Sequence, residues 1–283
     1  MIKDRLGVYV KSDQISSQWS GDGFFLARGL YSRKETEAIR DHFMEWNSSD
    51  RKEDFDGLDE TGHDPLAQFP RIIHPHRKDE LSLKFLLDTR IRRQLLELLA
   101  EEPLAAQTMF YFKPPGARGQ ALHQDQHYLR AEPGTCIAAW LAVDDCDDDN
   151  GCLTVVPGSH ELPLLCHVPA DTSISFTADT VPVPEGFRVV PVHMKAGDVL
   201  FFHGALIHGS GPNRSNDRFR RALIAHYVSG DARKASQFYH PLLRFDGTEA
   251  SLEFSPTGGQ CGVVTEDGIE MMAADMPGPT QPH

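Results

Sequence analysis

The chain has 283 residues, with 40% apolar and 24% charged content, the profile of an ordinary globular protein of one large domain or two modest ones. Asp and Glu outnumber Lys and Arg by 41 to 28, a formal charge of −13. That argues against a nucleic-acid partner, because binding a polyphosphate backbone rests on clustered positive charge. The opening MIKDRLGVYVKSDQ has no apolar run of signal-peptide length, and no segment reaches the roughly 18 apolar residues of a membrane span. The five cysteines (136, 146, 152, 166 and 261) are odd in number and lack a C-x-x-C pair. They do not read as a disulfide framework, so a reducing, cytoplasmic compartment is expected.

Residues 1–17 lack sustained periodicity and read as an arm. Gly21-Asp22-Gly23 leads into a strand-like FFLARGL. Ser32, with Glu35 three positions on, marks a helix start, and the helical pattern runs to about Asn47. The polar, acidic stretch 50–68 reads as a loop or lid, and 89–101 as a second helix whose Leu and Ile recur at helical spacing. From about 105 the texture changes to short apolar runs at 106–112, 135–143, 152–156, 188–193, 198–202 and 218–228, separated by Gly, Pro, Asn and Asp. This is the pattern of an all-β sandwich or barrel. The insert 167–186 is long for a plain connection, which points to a functional loop. Beyond Phe245 the composition turns to Gly, Pro, Ser and acids, and 248–283 is expected to be a peripheral tail on a single domain with its core at about 18–245.

The chemistry concentrates in His123-Gln124-Asp125, answered 83 residues after Asp125 by His208. Two His and one carboxylate are the ligand set of a non-haem Fe(II) oxygenase, which leaves the opposite face of the metal open. If the segment is one strand, His123 and Asp125 point the same way and Gln124 the other. On that uninterrupted strand His127 shares the face and can approach substrate. His208 follows an apolar run and precedes Gly209-Ser210-Gly211-Pro212, a rim position. Taken singly, each His is more often a surface or hydrogen-bonded core residue, and His203 competes with His208 as a ligand. Phe219-Arg220-Arg221 opens the run that follows. A cosubstrate such as 2-oxoglutarate chelates iron by its keto acid and leaves a distal carboxylate that suits a guanidinium. Only one of the two Arg can face a barrel interior, and a solvated Arg pair at a strand edge is the commoner arrangement.

LHQDQHY, CIAAW, NGCLTVVPGSH and HGSGPNRSNDRFRRAL together resemble the phytanoyl-CoA dioxygenase family of Fe(II)/2-oxoglutarate oxygenases, over roughly residues 18 to 230. The resemblance implies a mainly β fold, a double-stranded β-helix (jelly roll) with flanking α-helices. It places His123, Asp125 and His208 on the iron ligands and Arg220 on the distal carboxylate of 2-oxoglutarate. Trp140, Ser210, Met109 and, more loosely, Arg71 fall on contacts to that cosubstrate. Core packing explains Trp140 and Met109 equally well. Gln124 and Tyr128 are expected beside the metal ligands. Asn150-Gly151 and Pro157-Gly158-Ser159-His160 match family markers whose physical work is turn formation, with no metal role for His160.

The activity so implied consumes 2-oxoglutarate and O₂ at Fe(II), releases succinate and CO₂, and oxidises, most simply by hydroxylation, an unactivated C–H bond of a small molecule. The carboxylate of Asp125 disfavours halogenation, which needs that position for halide. Within the class, acyl-CoA hydroxylation and oxidative cyclisation or epimerisation remain open. RIIHPHRK at 71–78 is a candidate basic dock for CoA phosphates, while the acidic 50–68 and 167–186 segments hint at a polar or amine-bearing substrate. Outside it, a metal-dependent isomerase or lyase, or a non-catalytic ligand-binding barrel, is the competing reading, and neither needs Arg220.

Overall fold

The computed structural model describes residues 12–49, 65–256 and 259–272, with short strands at Ile2–Lys3, Tyr9–Val10 and Phe55–Asp56. Residues 1, 4–8 and 11, most of the acidic 50–68 segment and the tail from 273 lie outside the described residues; the rest of the expected N-terminal arm is not irregular but forms a short strand pair and the start of a helix at Ser12–Asp22. Among those described, no helix is long and apolar enough to cross a membrane.

Two facing sheets form the body. We number their strands β1 (Phe24–Ala27), β2 (Phe55–Asp56), β3 (Arg71–Ile73), β4 (Leu104–Tyr111), β5 (Gln120–His123), β6 (Cys136–Ala142), β7 (Leu153–Val155), β8 (Val190–Val192), β9 (Val199–His203), β10 (His208–Ser210), β11 (Ala222–Val228), β12 (Leu242–Leu243) and β13 (Glu249–Ala250). The larger sheet has nine strands in the order β13-β12-β4-β11-β6-β9-β1, with β3 also on β4 and β2 on β3. The smaller has four, β8-β7-β10-β5. All these pairings are antiparallel, and six of the runs expected from sequence are strands to within a few residues. The jelly-roll expectation is met.

Strand alternation divides the large sheet into two faces. Ile137, Ala139 and Leu141 on β6, Val199 and Phe201 on β9, and Leu223, Ala225 and Tyr227 on β11 pack outward against helices. Their even-numbered neighbours, Ala138, Trp140, Leu200, Phe202, Ala222 and Ile224, face the small sheet. The helical layer is α1 (Ser12–Asp22), α2 (Arg33–Ser48), α3 (Glu80–Leu86) and α4 (Thr89–Leu99). On α2 the expected capping box is present, with Glu35 N–H donating to Ser32 Oγ at 3.3 Å and Ser32 N–H to Glu35 Oε2 at 2.7 Å. Its Phe43 is fully buried and stacks on Phe110 with ring centroids 3.9 Å apart. The sequence reading missed α3, because seven residues are too few for a helical period to stand out; Asp79 caps it by accepting from Ser82 N–H at 2.8 Å.

Two expectations need correction. Cys166 and Cys261 form a disulfide, 95 residues apart in sequence, while Cys136, Cys146 and Cys152 stay free and buried. An odd count hides a pair when the other thiols are core residues, and the argument it gave for a reducing compartment falls away. The described part of the segment after 248 is also attached rather than peripheral. β13 completes the large sheet, Glu253–Ser255 pairs with Lys234–Ser236, and the hairpin Gly262–Thr265/Gly268–Met271 is held by the disulfide and by Cys166 N–H donating to Gly262 O at 2.9 Å.

Several imidazoles are folded into this body. Burial lowers His76, His127 and His203 to about 4, and His74 to about 2, from an ordinary 6.5. Each is neutral in the fold, whereas the unfolded chain takes up protons as pH drops below 6.5. Their contribution is therefore complete above 6.5 and is lost as pH falls toward about 4. Thermal unfolding should show Tm declining already between pH 6.5 and 5, above most carboxylate titration; a flat Tm across that range would contradict these burials.

Candidate metal centre

The site begins with strand register. His123, the last residue of β5, lies directly opposite His208, the first of β10. Facing positions on paired antiparallel strands project to the same side, and the two rings stand 4.1 Å apart between centroids. Each ring donates its Nδ1–H to a backbone carbonyl two residues back, His123 to Ala121 O at 2.8 Å and His208 to Leu206 O at 3.0 Å. That fixes the tautomer and leaves both Nε2 lone pairs pointing inward.

Asp125 reaches the same point by another route than expected. The strand ends at His123, and Asp125 has helical backbone angles (φ −59°, ψ −33°) at the head of a four-residue turn, α5 (Gln126–Leu129). The chain thus curls rather than alternating, and Asp125 Oδ1 lies 3.6 Å from Nε2 of both His123 and His208. Because the strand is interrupted, His127 does not share the ligand face; its ring packs on His167 at 4.5 Å.

All three side chains are buried, and their ligand atoms lie within 4.8 Å of one another. Burial, then the neighbouring His208, brings His123 down to about 3. Burial alone would raise the Asp125 carboxyl, but the imidazoles of His208, His226 and His123 hold it below the usual carboxylate range. Two inward-facing imidazole nitrogens and a carboxylate oxygen thus converge in a buried space. Such a grouping is unfavourable without a cation between its members, and it fits a divalent metal held on one side.

The other side opens into a cavity of about 400 Å³, solvent at its mouth included. Arg220 lies in the extended run just before β11, with its N–H donating to Lys113 O at 3.0 Å, so the strand alternation already applies there. It is buried in the cavity wall, its guanidinium 5.3 Å from the Trp140 ring centroid, with Nε donating to Gly151 O at 3.2 Å. Burial lowers its pKa from the ordinary guanidinium value. Arg221 faces out and forms a two-pronged pair with Asp144 at 2.7 and 2.8 Å. Gly151 sits at φ +75°, and a Cβ there would come within 2.5 Å of Gly211 O, so glycine lets the NGCL turn lie against the HGSG turn.

Of the other expected residues, Ser210, Trp140 and Met109 line the cavity. Arg71 stands beside its edge, donating to the hydroxyl of the lining Tyr111 at 3.3 Å and lying 5.9 Å over the Phe176 ring. Tyr128 meets His123 edge-on at 6.4 Å. Gln124 turns away. Its amide donates to Ala205 O at 2.8 Å and accepts from Leu165 N–H at 2.8 Å, stitching two loops together outside the cavity. His203 packs with Trp19 and His160, so it is not grouped with the ligands.

Three residues escaped the sequence reading. Lys113 is buried and donates to Ser210 Oγ at 2.7 Å and Gly211 O at 2.6 Å, bracing the turn that follows His208. His226 Nε2 lies 3.0 Å from Asp125 Oδ2, and Gln107 Nε2 lies 3.2 Å from His226 Nδ1. The signal was parity: His226 falls on the same alternation as Arg220 along an otherwise apolar strand.

Residues 19–222 match the sequence profile of the phytanoyl-CoA dioxygenase (PhyH) family. The chain belongs to that family. It is thus an Fe(II)/2-oxoglutarate-dependent dioxygenase by class, which leaves the isomerase, lyase and ligand-binding readings without support. Phytanoyl-CoA dioxygenase 1 of Oryza sativa is 30% identical over 218 residues, covering 73% of this chain and 76% of that protein. The peroxisomal phytanoyl-CoA dioxygenase of Rattus norvegicus is 38% identical over 184 residues, 62% of this chain but only 54% of the rat protein. Among solved structures, the epimerase SnoN in complex with Fe³⁺, α-ketoglutarate and nogalamycin RO aligns with a TM-score of 0.64 at 20% identity, covering 78% of this chain and 85% of that one; it speaks to the fold.

Proposed function

We propose that His123, Asp125 and His208 hold the iron, that Arg220 anchors the distal carboxylate of 2-oxoglutarate, and that the enzyme hydroxylates a C–H bond of a small polar molecule. The supporting observation is that three buried acceptors converge on one side of a cavity whose other wall carries a buried guanidinium. Bound Fe(II) with 2-oxoglutarate supplies the oxidising chemistry, consuming O₂ and releasing succinate and CO₂. The protein's part is positioning. The Nδ1–H bonds of both His fix their inward nitrogens. Arg220, with Trp140 beside it, offers one cationic end in a water-poor wall, where pairing with a carboxylate is strong. Ser210, braced by Lys113, and Met109 border the same space, and Arg71 stands at its rim. Asp125, as an intact carboxylate, leaves no vacancy for halide, which favours hydroxylation over halogenation.

For the substrate, the insert 167–186 runs beside β5. Gly119 N–H donates to Ile174 O at 2.8 Å, Phe176 N–H to Gly119 O at 2.9 Å and Val181 N–H to Leu122 O at 2.9 Å. Its Asp179 acts electrostatically on Tyr128 and His167, so the insert carries an acid close to both rings. The candidate basic dock for CoA is weak. His74 and His76 are buried and neutral, and Arg77 donates to the carbonyls of Phe238 and His240 at 3.2 and 2.9 Å. A small polar or amine-bearing substrate fits these walls better than an acyl-CoA.

Anaerobic Fe(II) titration should show Asp125→Ala weakening iron binding by more than about 100-fold, beyond the loss typical for an outer partner; unchanged affinity would reject the triad. Arg220→Ala should keep iron and lose 2-oxoglutarate affinity by about 2 kcal/mol or more, roughly 30-fold. An unaltered 2-oxoglutarate Kd would remove Arg220 from the cosubstrate site. Succinate release measured over cationic, neutral and acyl-CoA candidates should couple best to a polar small molecule, and coupling to acyl-CoA alone would reject that class.

A further inference from the structure

Asp125 uses its two oxygens differently. Oδ1 lies 3.6 Å from both ligand nitrogens, whereas Oδ2 is turned away, 3.0 Å from His226 Nε2. His226 is buried on the interior face of β11 and sits opposite Gln107 of β4 in the antiparallel register. On its other side the register neighbour is Ala138 of β6, whose small side chain leaves room for an imidazole. Gln107 Nε2 is 3.2 Å from His226 Nδ1 and can only donate to it. Nδ1 is then the acceptor, Nε2 carries the proton, and that proton is donated to the Asp125 carboxylate. The amide and the imidazole form one chain of donors ending on a single carboxylate oxygen, and all three residues are buried.

We propose that His226, oriented by Gln107, is a positioning residue that keeps Asp125 bound to the iron through one oxygen. The inference rests on the triad reading above. A carboxylate freed of its partner can swing Oδ2 onto the metal, and a second oxygen there takes a coordination position that 2-oxoglutarate or O₂ needs. With Oδ2 engaged by His226, Asp125 contributes one ligand atom and the far side stays open. Arg220 and His226 lie on the same parity of one strand, so the element that anchors the cosubstrate also keeps its place at the metal vacant.

The test compares His226→Ala and His226→Gln in the full chain. Glutamine carries an amide N–H near the position of the imidazole Nε2, so it should restore the bond. Three readouts are needed: Fe(II) affinity, the visible charge-transfer band of the anaerobic Fe(II) protein titrated with 2-oxoglutarate, and the melting temperature of metal-free protein. His226→Ala should weaken iron binding about 10–100-fold. At saturating iron it should also raise the 2-oxoglutarate concentration needed for the band by at least about tenfold. His226→Gln should stay within about threefold of wild type in both. A folded His226→Ala protein matching wild type in iron and cosubstrate binding would overturn the proposal. So would a His226→Gln protein that melts normally yet binds iron or cosubstrate at least about tenfold more weakly than wild type; this arm stands even if the alanine variant does not fold. Failure of wild type to bind iron through Asp125 would instead sink the triad reading, and this inference with it.

Discussion

The in-register pairing of His123 with His208 is the constraint on which the rest of the site depends. Two strands of the small sheet, 85 positions apart in sequence, present these residues face to face. A slip of one residue would turn an imidazole to the opposite face of the sheet and dissolve the ligand set. Gly209 makes the close approach possible, since a Cβ there would come within 2.8 Å of Gln120 O, and the ladder shifts register between His208 and Ser210. The flanking turns hold that pairing. Ser159 Oγ accepts Ile207 N–H at 2.8 Å just ahead of His208, and Lys113 ties Ser210 and Gly211 just behind it.

The large sheet brings Arg220 and His226 to the cavity from one extended run. Positions 220, 222, 224 and 226 of the β11 run face the small sheet, and they read Arg, Ala, Ile, His. The two apolar members pack in the core between the sheets; the two polar ends reach the cavity wall and the Asp125 carboxylate. Opposite parity gives Arg221, Leu223, Ala225 and Tyr227, which meet Asp144 and the helical layer. One alternation thus separates the structural core from the cavity; His123, His208 and His226 sit on strands, while Asp125 and Arg220 lie within two residues of a strand end.

Much of this was legible in the sequence because it rests on short-range rules. Runs of alternating apolar residues gave the strands, the Ser32/Glu35 capping box gave α2, and the ordered motifs singled out His123, Asp125, His208 and Arg220, which the fold brings to one cavity. Backbone conformation was the first thing hidden. Extended geometry was assumed through Asp125, yet the chain turns helical there, which moved His127 off the ligand face and Gln124 into a loop contact. Long-range pairing was the second. Cys166 with Cys261, Lys113 with Ser210 and His226 with Asp125 join residues 95, 97 and 101 positions apart, and no local pattern in a single sequence announces such partners.

The most direct measurement is anomalous diffraction at the iron edge from crystals grown anaerobically with Fe(II) and 2-oxoglutarate. One peak is expected, bonded by His123 Nε2, Asp125 Oδ1 and His208 Nε2, with the distal carboxylate of 2-oxoglutarate on Arg220. A peak elsewhere, or cosubstrate density turned away from Arg220, would contradict the convergence on which this site is built.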